Sequence, residues 1–271
     1  ARTAYAPILY ETRDFSCGLM TAQGELAAMS EDFSGHVFAM ALGLNAARAK
    51  FGDDIHPGDV LASNDPYTGG GTHKNDINVI MPIFRDGELV MFGASKAHHL
   101  DIGGKDPGSW SADARNTYQE GLSLPAMRLA RNGVINEAIT DILFANMRVP
   151  QLSRGDFSAQ IAAGKTAEMR AHDFLKKHGV KLFRDAVEEL IDHGERITRA
   201  AIEQIPDGVY TADGYADGDG VSEEPIFIKV TATVKGSDIW IDYAGSDDQR
   251  SGAAGNCHWV NTVSCTREFM M

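Results

Sequence analysis

The chain has 271 residues, 43% of them apolar and 23% charged, which suits a packed core and excludes wholesale disorder. Its 38 Asp and Glu outnumber 25 Lys and Arg, and a net charge of −13 disfavours nucleic-acid binding, because such a surface repels phosphates. No apolar run approaches the roughly 18–20 residues that span a bilayer, no basic-then-apolar leader opens the chain, and three cysteines without CxxC spacing fit a reducing, cytoplasmic setting rather than a disulfide framework or a cysteine zinc site.

Both termini read as cut. The first residues, Ala1 to Tyr5, look like the end of an element already under way, and residues 266–271 like the inside of a new helix, so a longer polypeptide is expected. Residues 14–30 predict a hairpin turning at Gln23-Gly24. A helix is expected from about His36 to Lys50, with Phe38, Leu42 and Ala46 at helical spacing and Gly52 as its stop. Val60-Leu61-Ala62 is a short buried strand that leads into a glycine-rich loop over residues 64–73. Strands at Ile77–Phe84 and Glu88–Lys96 flank an Arg85-Asp86-Gly87 turn. Residues 105–135 show little periodicity and read as a long loop, and long loops are usually functional. Helices are expected over residues 136–145, from Asp156 as a cap to His178, and over 180–204. After Pro206 the texture turns to strands at residues 211–216, 226–234 and 239–243. The fold class is therefore mixed α+β: an antiparallel-strand region, a helical middle and a β-rich C-terminal part. A boundary near Pro206 divides residues 1–205 from 206–271.

Chemistry concentrates in two glycine-bounded loops. One ends in His73-x-x-Asp76, and the other holds His98-His99-x-Asp101. Antiparallel pairing of the intervening strands brings both loops to one end of the sheet. Imidazole plus carboxylate is the donor set for Zn, Mn or Fe, and two His with one carboxylate leave coordination positions open for water or substrate. A lone loop His is more often a surface residue, nine His allow clustering by chance, and Asp76 could be a turn residue. No GxGxxG or GxxxxGKS/T phosphate loop appears, so ATP binding by this chain alone is not expected.

In order along the chain stand Asp14-Phe15-Ser16, Asn64-Asp65-Pro66-Tyr67, Gly70-Gly71-Thr72-His73-x-Asn75-Asp76 and Ala97-His98-His99-x-Asp101-Ile102-Gly103-Gly104. They are followed by Pro107-Gly108-Ser109, Gln119-Glu120-Gly121, Asn146-x-Arg148-x-Pro150, Gly155-Asp156-x-x-Ala159-Gln160 and Pro206-Asp207-Gly208. With these motifs the sequence resembles the hydantoinase B/oxoprolinase family, as an N-terminal portion without the family's opening helix. The resemblance implies the metal-binding subunit of an ATP-dependent enzyme whose hydantoinase A-type partner binds ATP. It implies opening of a cyclic amide or, alternatively, ATP-dependent carboxylation of acetone or acetophenone; a non-catalytic scaffold is a third reading, which the intact His/Asp set argues against. It also implies His73, Asp76 and His98 as ligands of a divalent metal (Zn or Mn), with His99 the other choice beside His98. His99 and Asp101 come next, as ligand or supporting groups. Asp14, His36 and Glu120 sit in matching motifs as acid/base or orienting groups. The loop over residues 105–125, with Trp110, Tyr118 and Glu120, is expected to wall the substrate pocket.

Overall fold

Apolar runs of strand length dominate the first half of the chain. In the computed structural model, which describes residues 2–30, 32–252 and 254–268, they assemble into one seven-stranded sheet. Its strands are β1 (Phe15–Thr21), β2 (Leu26–Met29), β3 (Val60–Ser63), β4 (Asp76–Arg85), β5 (Glu88–His98), β6 (Met127–Arg131) and β7 (Val134–Ile135). The spatial order is β2-β1-β5-β4-β3-β6-β7, and every neighbouring pair is antiparallel. The β4–β5 hairpin turns through Asp86 and Gly87, both at positive φ, the conformation a two-residue turn needs to match the strand twist.

The three central strands are buried almost throughout, because helices cover both faces. On one face, Met20, Leu61, Ile80 and Phe92 pack against Val37, Met40 and Leu44 of α2 (Val37–Phe51). On the other, Val60, Ile77, Val79 and Met81 pack against Leu143 and Phe144 of α3 (Glu137–Ala145) and Phe157 of α4 (Pro150–His178). Each such side chain contributes about 1.5–3 kcal/mol on burial. A short α1 (Pro7–Tyr10) precedes β1, and α5 (Val180–Ile202) follows α4. A second antiparallel sheet, β10-β9-β8, comes from β8 (Gly208–Ala216), β9 (Ile226–Lys235) and β10 (Asp238–Asp242), and α6 (Trp259–Glu268) closes the described chain. The mixed α+β class, the antiparallel site region, the helical middle and the β-rich C-terminal part all stand.

Two boundaries differ from expectation. Residues 105–135 are not one loop: β6 and β7 form a hairpin through Asn132-Gly133, and β6 pairs with β3. Met127-Arg128-Leu129-Ala130-Arg131 carries no clean alternation, so only its partner strand makes it a strand. Helix α4 starts at Pro150, six residues before the expected cap, since proline at the first helical turn has its φ preset and no N–H to satisfy. Asp156 is instead inside the helix, where its Oδ1 accepts from the Tyr5 and Ala6 N–H groups at 2.7 and 3.2 Å. The terminal helix is α6, and residues 266–268 lie inside it as expected; residues 269–271 lie outside the described residues.

The glycine-rich loop packs directly on α2. Gly70 has φ +67°, and a Cβ there would collide with the Gly43 backbone N and lie 2.7 Å from the Ala39 carbonyl oxygen. Gly133 also has positive φ, at +81°, but open space around it. Gly70→Ala is therefore expected to cost more than about 2 kcal/mol, and Gly133→Ala about 1 kcal/mol, as strain without collision. Denaturant unfolding of both variants checks this; equal losses would refute the packing account.

Candidate metal centre

The register of β4 and β5 sets Asp76 directly opposite His98. Opposed residues share a face, and period two places Asp76, Asn78 and Ile80, with His98, Lys96 and Phe92, on the face that meets α2. His73 lies three residues before Asp76, and the loop folds its Nε2 back to 3.0 Å from Asp76 Oδ1. His98 Nδ1 stands 3.4 Å from the same oxygen. One donor atom from each of His73, Asp76 and His98 lies within 4.8 Å of the others.

Three more residues close around this group. His36, in the 3-10 turn Ser34–His36 that leads into α2, sets its Nε2 3.0 Å from Asp76 Oδ2. The Thr72 hydroxyl donates to that same oxygen. Asp14, just before β1, spans the gap, with Oδ1 3.6 Å from His36 Nε2 and Oδ2 3.6 Å from His98 Nδ1. Side chains of Asp76 and His36 are 2% exposed and that of Asp14 is 28%, so Asp14 is the carboxylate that meets solvent. Beneath the centre, buried Lys96 donates from Nζ to the backbone oxygens of Asp76 and Gly70, at 3.3 and 3.2 Å. Burial pushes the Lys96 ammonium down to about 8, against the opposing pull of Asp76 and Asp14. Burial alone would raise the Asp76 carboxyl; the charges of His73 and His36 and the His36 hydrogen bond outweigh it and hold Asp76 well below the usual carboxylate range.

The donor set fits a divalent cation. Asp76 Oδ1 is buried and has no hydrogen-bond partner, although His73 Nε2 and His98 Nδ1 both approach it. The 3.0 Å His73 contact is close enough for an ion pair but lacks the alignment of a hydrogen bond. A buried oxygen left so costs about 1–3 kcal/mol, which a cation shared with two imidazole nitrogens would remove.

Other expected site residues are placed elsewhere. His99 follows His98 and faces the opposite side of the sheet, where its Nε2 meets Gln160 Oε1 of α4 at 3.0 Å and its ring packs on Phe157 at 4.5 Å. Gln160 in turn donates to the Ile77 and Ser95 carbonyls. Asp101 accepts from the Gly103, Gly108 and Arg148 backbone N–H groups and from the Arg148 guanidinium at 2.8 Å. Burial raises the Asp101 carboxyl, but these donors prevail and lower it. Glu120 ends the 3-10 turn Thr117–Glu120, and its charge acts on buried Lys74, which binds the Thr117 and Gly121 carbonyls. Sequence reasoning missed Thr72 and Lys96. A lysine at position 96, in phase with Phe92 and Ala94 on an otherwise apolar strand face, was the available signal for the latter.

The sequence pattern of the Hydantoinase B/oxoprolinase family matches residues 1–271. A Pseudomonas sp. (strain NS671) protein, named for the B component of a D-/L-hydantoinase, is 36% identical over 272 residues, covering 97% of this chain and 46% of its own length. The caprolactamase beta chain of Pseudomonas jessenii is 30% identical over 241 residues, covering 89% of this chain and 41% of its own. The crystal structure of the ATP-dependent caprolactamase from the same organism superposes with a TM-score of 0.87 at 29% identity, over 94% of this chain and 45% of that one. Nucleotide-free acetone carboxylase gives 0.88 at 19% identity, over 99% and 37%, a likeness of fold. The chain thus spans about half the length of the curated relatives it matches.

Elemental analysis of the full-length protein, loaded and desalted, is expected to give about one Zn or Mn per chain. His73→Ala should abolish that content with unchanged circular dichroism. Thr72→Val, which leaves Asp76 Oδ2 to His36 alone, should weaken the metal about 10–100-fold. His99→Ala should retain the metal and lose about 1–3 kcal/mol of stability, because buried Gln160 Oε1 is left without a partner. Full occupancy in His73→Ala would refute the ligand set.

Proposed function

This chain belongs to the hydantoinase B/oxoprolinase family, and we propose that it carries the metal centre of an ATP-dependent amidohydrolase that opens a cyclic amide such as a hydantoin. The observation that carries the reading is the buried, hydrogen-bond-free Asp76 Oδ1 between two imidazole nitrogens. The amide class follows the relatives named for a hydantoinase and a caprolactamase, at 36% and 30% identity, both names of enzymes for cyclic amides.

His73, Asp76 and His98 would hold a divalent cation, which would supply Lewis-acid polarisation of a carbonyl oxygen and a water acidified towards a pKa of about 7. The chain's own groups supply the rest. His36 and Thr72 hold Asp76 Oδ2, which leaves Oδ1 as the donor. Lys96 fixes the Asp76 backbone to the glycine loop. Asp14, the half-buried carboxylate beside His36 and His98, takes the proton from the attacking nucleophile and returns it to the leaving nitrogen. His99, through Gln160, fixes the end of β5 and with it the His98 ring, so it is a positioning residue. Asp101, with Arg148, pins the loop that follows, and Glu120 offers a polar contact near Lys74. Activation by ATP is assigned to a hydantoinase A-type partner in a cytoplasmic hetero-oligomer.

The test is ATP hydrolysis by the complex of the full-length protein with its A-type partner. Hydantoins or lactams are expected to stimulate it. Stimulation by a ketone with bicarbonate instead would replace the hydrolase with a carboxylase. Asp14→Asn should keep the metal and lower kcat about 10²–10⁴-fold. Unchanged turnover would remove Asp14 from the proton path.

A further inference from the structure

Trp110 is 69% exposed, yet its ring centroid lies 5.2 Å from that of His73 and 6.0 Å from that of His98. A single exposed aromatic needs no explanation by itself. The support beneath this one does. Residues 107–109 form a 3-10 turn in which Gly108 has φ +85° and Ser109, a non-glycine residue, has φ +54°. A left-handed residue of that kind costs on the order of 1 kcal/mol and persists only where its surroundings enforce it. Here they do. The Ser109 side chain is buried, and its Oγ accepts from the Ile102 and Gly104 N–H groups at 2.9 and 2.8 Å. The Gly108 N–H donates to Asp101 Oδ2 at 2.9 Å, and the Gly108 carbonyl accepts from Asn75 Nδ2 at 2.9 Å. Asn75 is the neighbour of Asp76, and Asp101 is itself held by Arg148. The turn is thus tied to the strand that carries the centre, and the next residue it presents is the indole.

We infer that Trp110 is a specificity-determining residue: its indole is the apolar wall on which a flat ring packs while a carbonyl oxygen of that ring reaches the His73–Asp76–His98 centre. The inference rests on the reading of that centre as a metal site and narrows its substrate to planar, carbonyl-bearing rings. An indole offers a large rigid face with two torsions to fix, and an offset-stacked ring gains from it beyond simple burial.

The experiment uses the metal-loaded full-length protein, without ATP or a partner, in calorimetric titrations with acetohydroxamate and benzohydroxamate. The two probes share one metal-binding head and differ only in the ring. Wild type is expected to bind benzohydroxamate about tenfold tighter than acetohydroxamate, the size of a good aromatic contact. Trp110→Ala should bring the two within about threefold, with metal content and acetohydroxamate affinity unchanged, and Trp110→Phe should keep most of the preference. A preference that survives in Trp110→Ala overturns the inference. So does an equal loss for both probes, which would make Trp110 a support of the centre only, and so does binding of neither probe or the absence of preference in wild type. Because no turnover is measured, failure of the amidohydrolase reading shows separately, as unstimulated ATP hydrolysis with the ring preference intact.

Discussion

A carboxylate taken out of water is the constraint around which this fold is arranged. Asp76 is almost fully buried at the start of β4, where an unpaired charge would be untenable. The molecule surrounds it with groups drawn from three places in the chain: His36 before α2, Thr72 and His73 in the glycine loop, and His98 at the end of β5. Lys96 holds its backbone from below. One oxygen is fully engaged and the other is left facing two imidazoles. That asymmetry makes Oδ1 the oxygen that could take a cation.

The sheet's pleat sorts the site residues. Side chains alternate between the α2 face and the α4 face, so two adjacent histidines cannot serve one centre. His98 joins Asp76 on the α2 face, and His99 turns to Gln160 and Phe157 under α4. Asp14 lies on the side of His98, and the His98 N–H donates to the Asp14 carbonyl as β1 and β5 begin to pair. Close packing of the glycine loop on α2 then brings His36 within reach from the far side of the centre.

Beyond the sheet, the segment after His98 is held by buried polar side chains bonded to backbone. Asp101 and Arg148 clamp one end, Ser109 Oγ the middle, and Lys74 the other end through the Thr117 and Gly121 carbonyls. Asn64 completes the frame by bonding the Lys74 and Leu122 carbonyls and the Leu124 N–H. Without regular secondary structure, this is how the buried backbone groups of a loop are satisfied. It also gives the loop the rigidity of the sheet beside it.

Much of this was legible in the residues themselves. Apolar, β-branched runs marked β4 and β5, Asp86-Gly87 marked their turn, and Gly52 and Gly179 marked helix ends, because these are local preferences of a few consecutive residues. The antiparallel hairpin placed His73, Asp76 and the 98–99 pair at one end of a sheet by counting alone. Sequence could not say which of His98 and His99 faces the centre, since the phase of a strand is set by what packs on each face. Nor could it show that Met127–Arg131 is a strand, that Asp156 bonds the N-terminal backbone some 150 residues away in sequence, or that Lys96 is buried under Asp76. Those facts depend on contacts between residues far apart in the chain, and only the tertiary fold decides which of them meet.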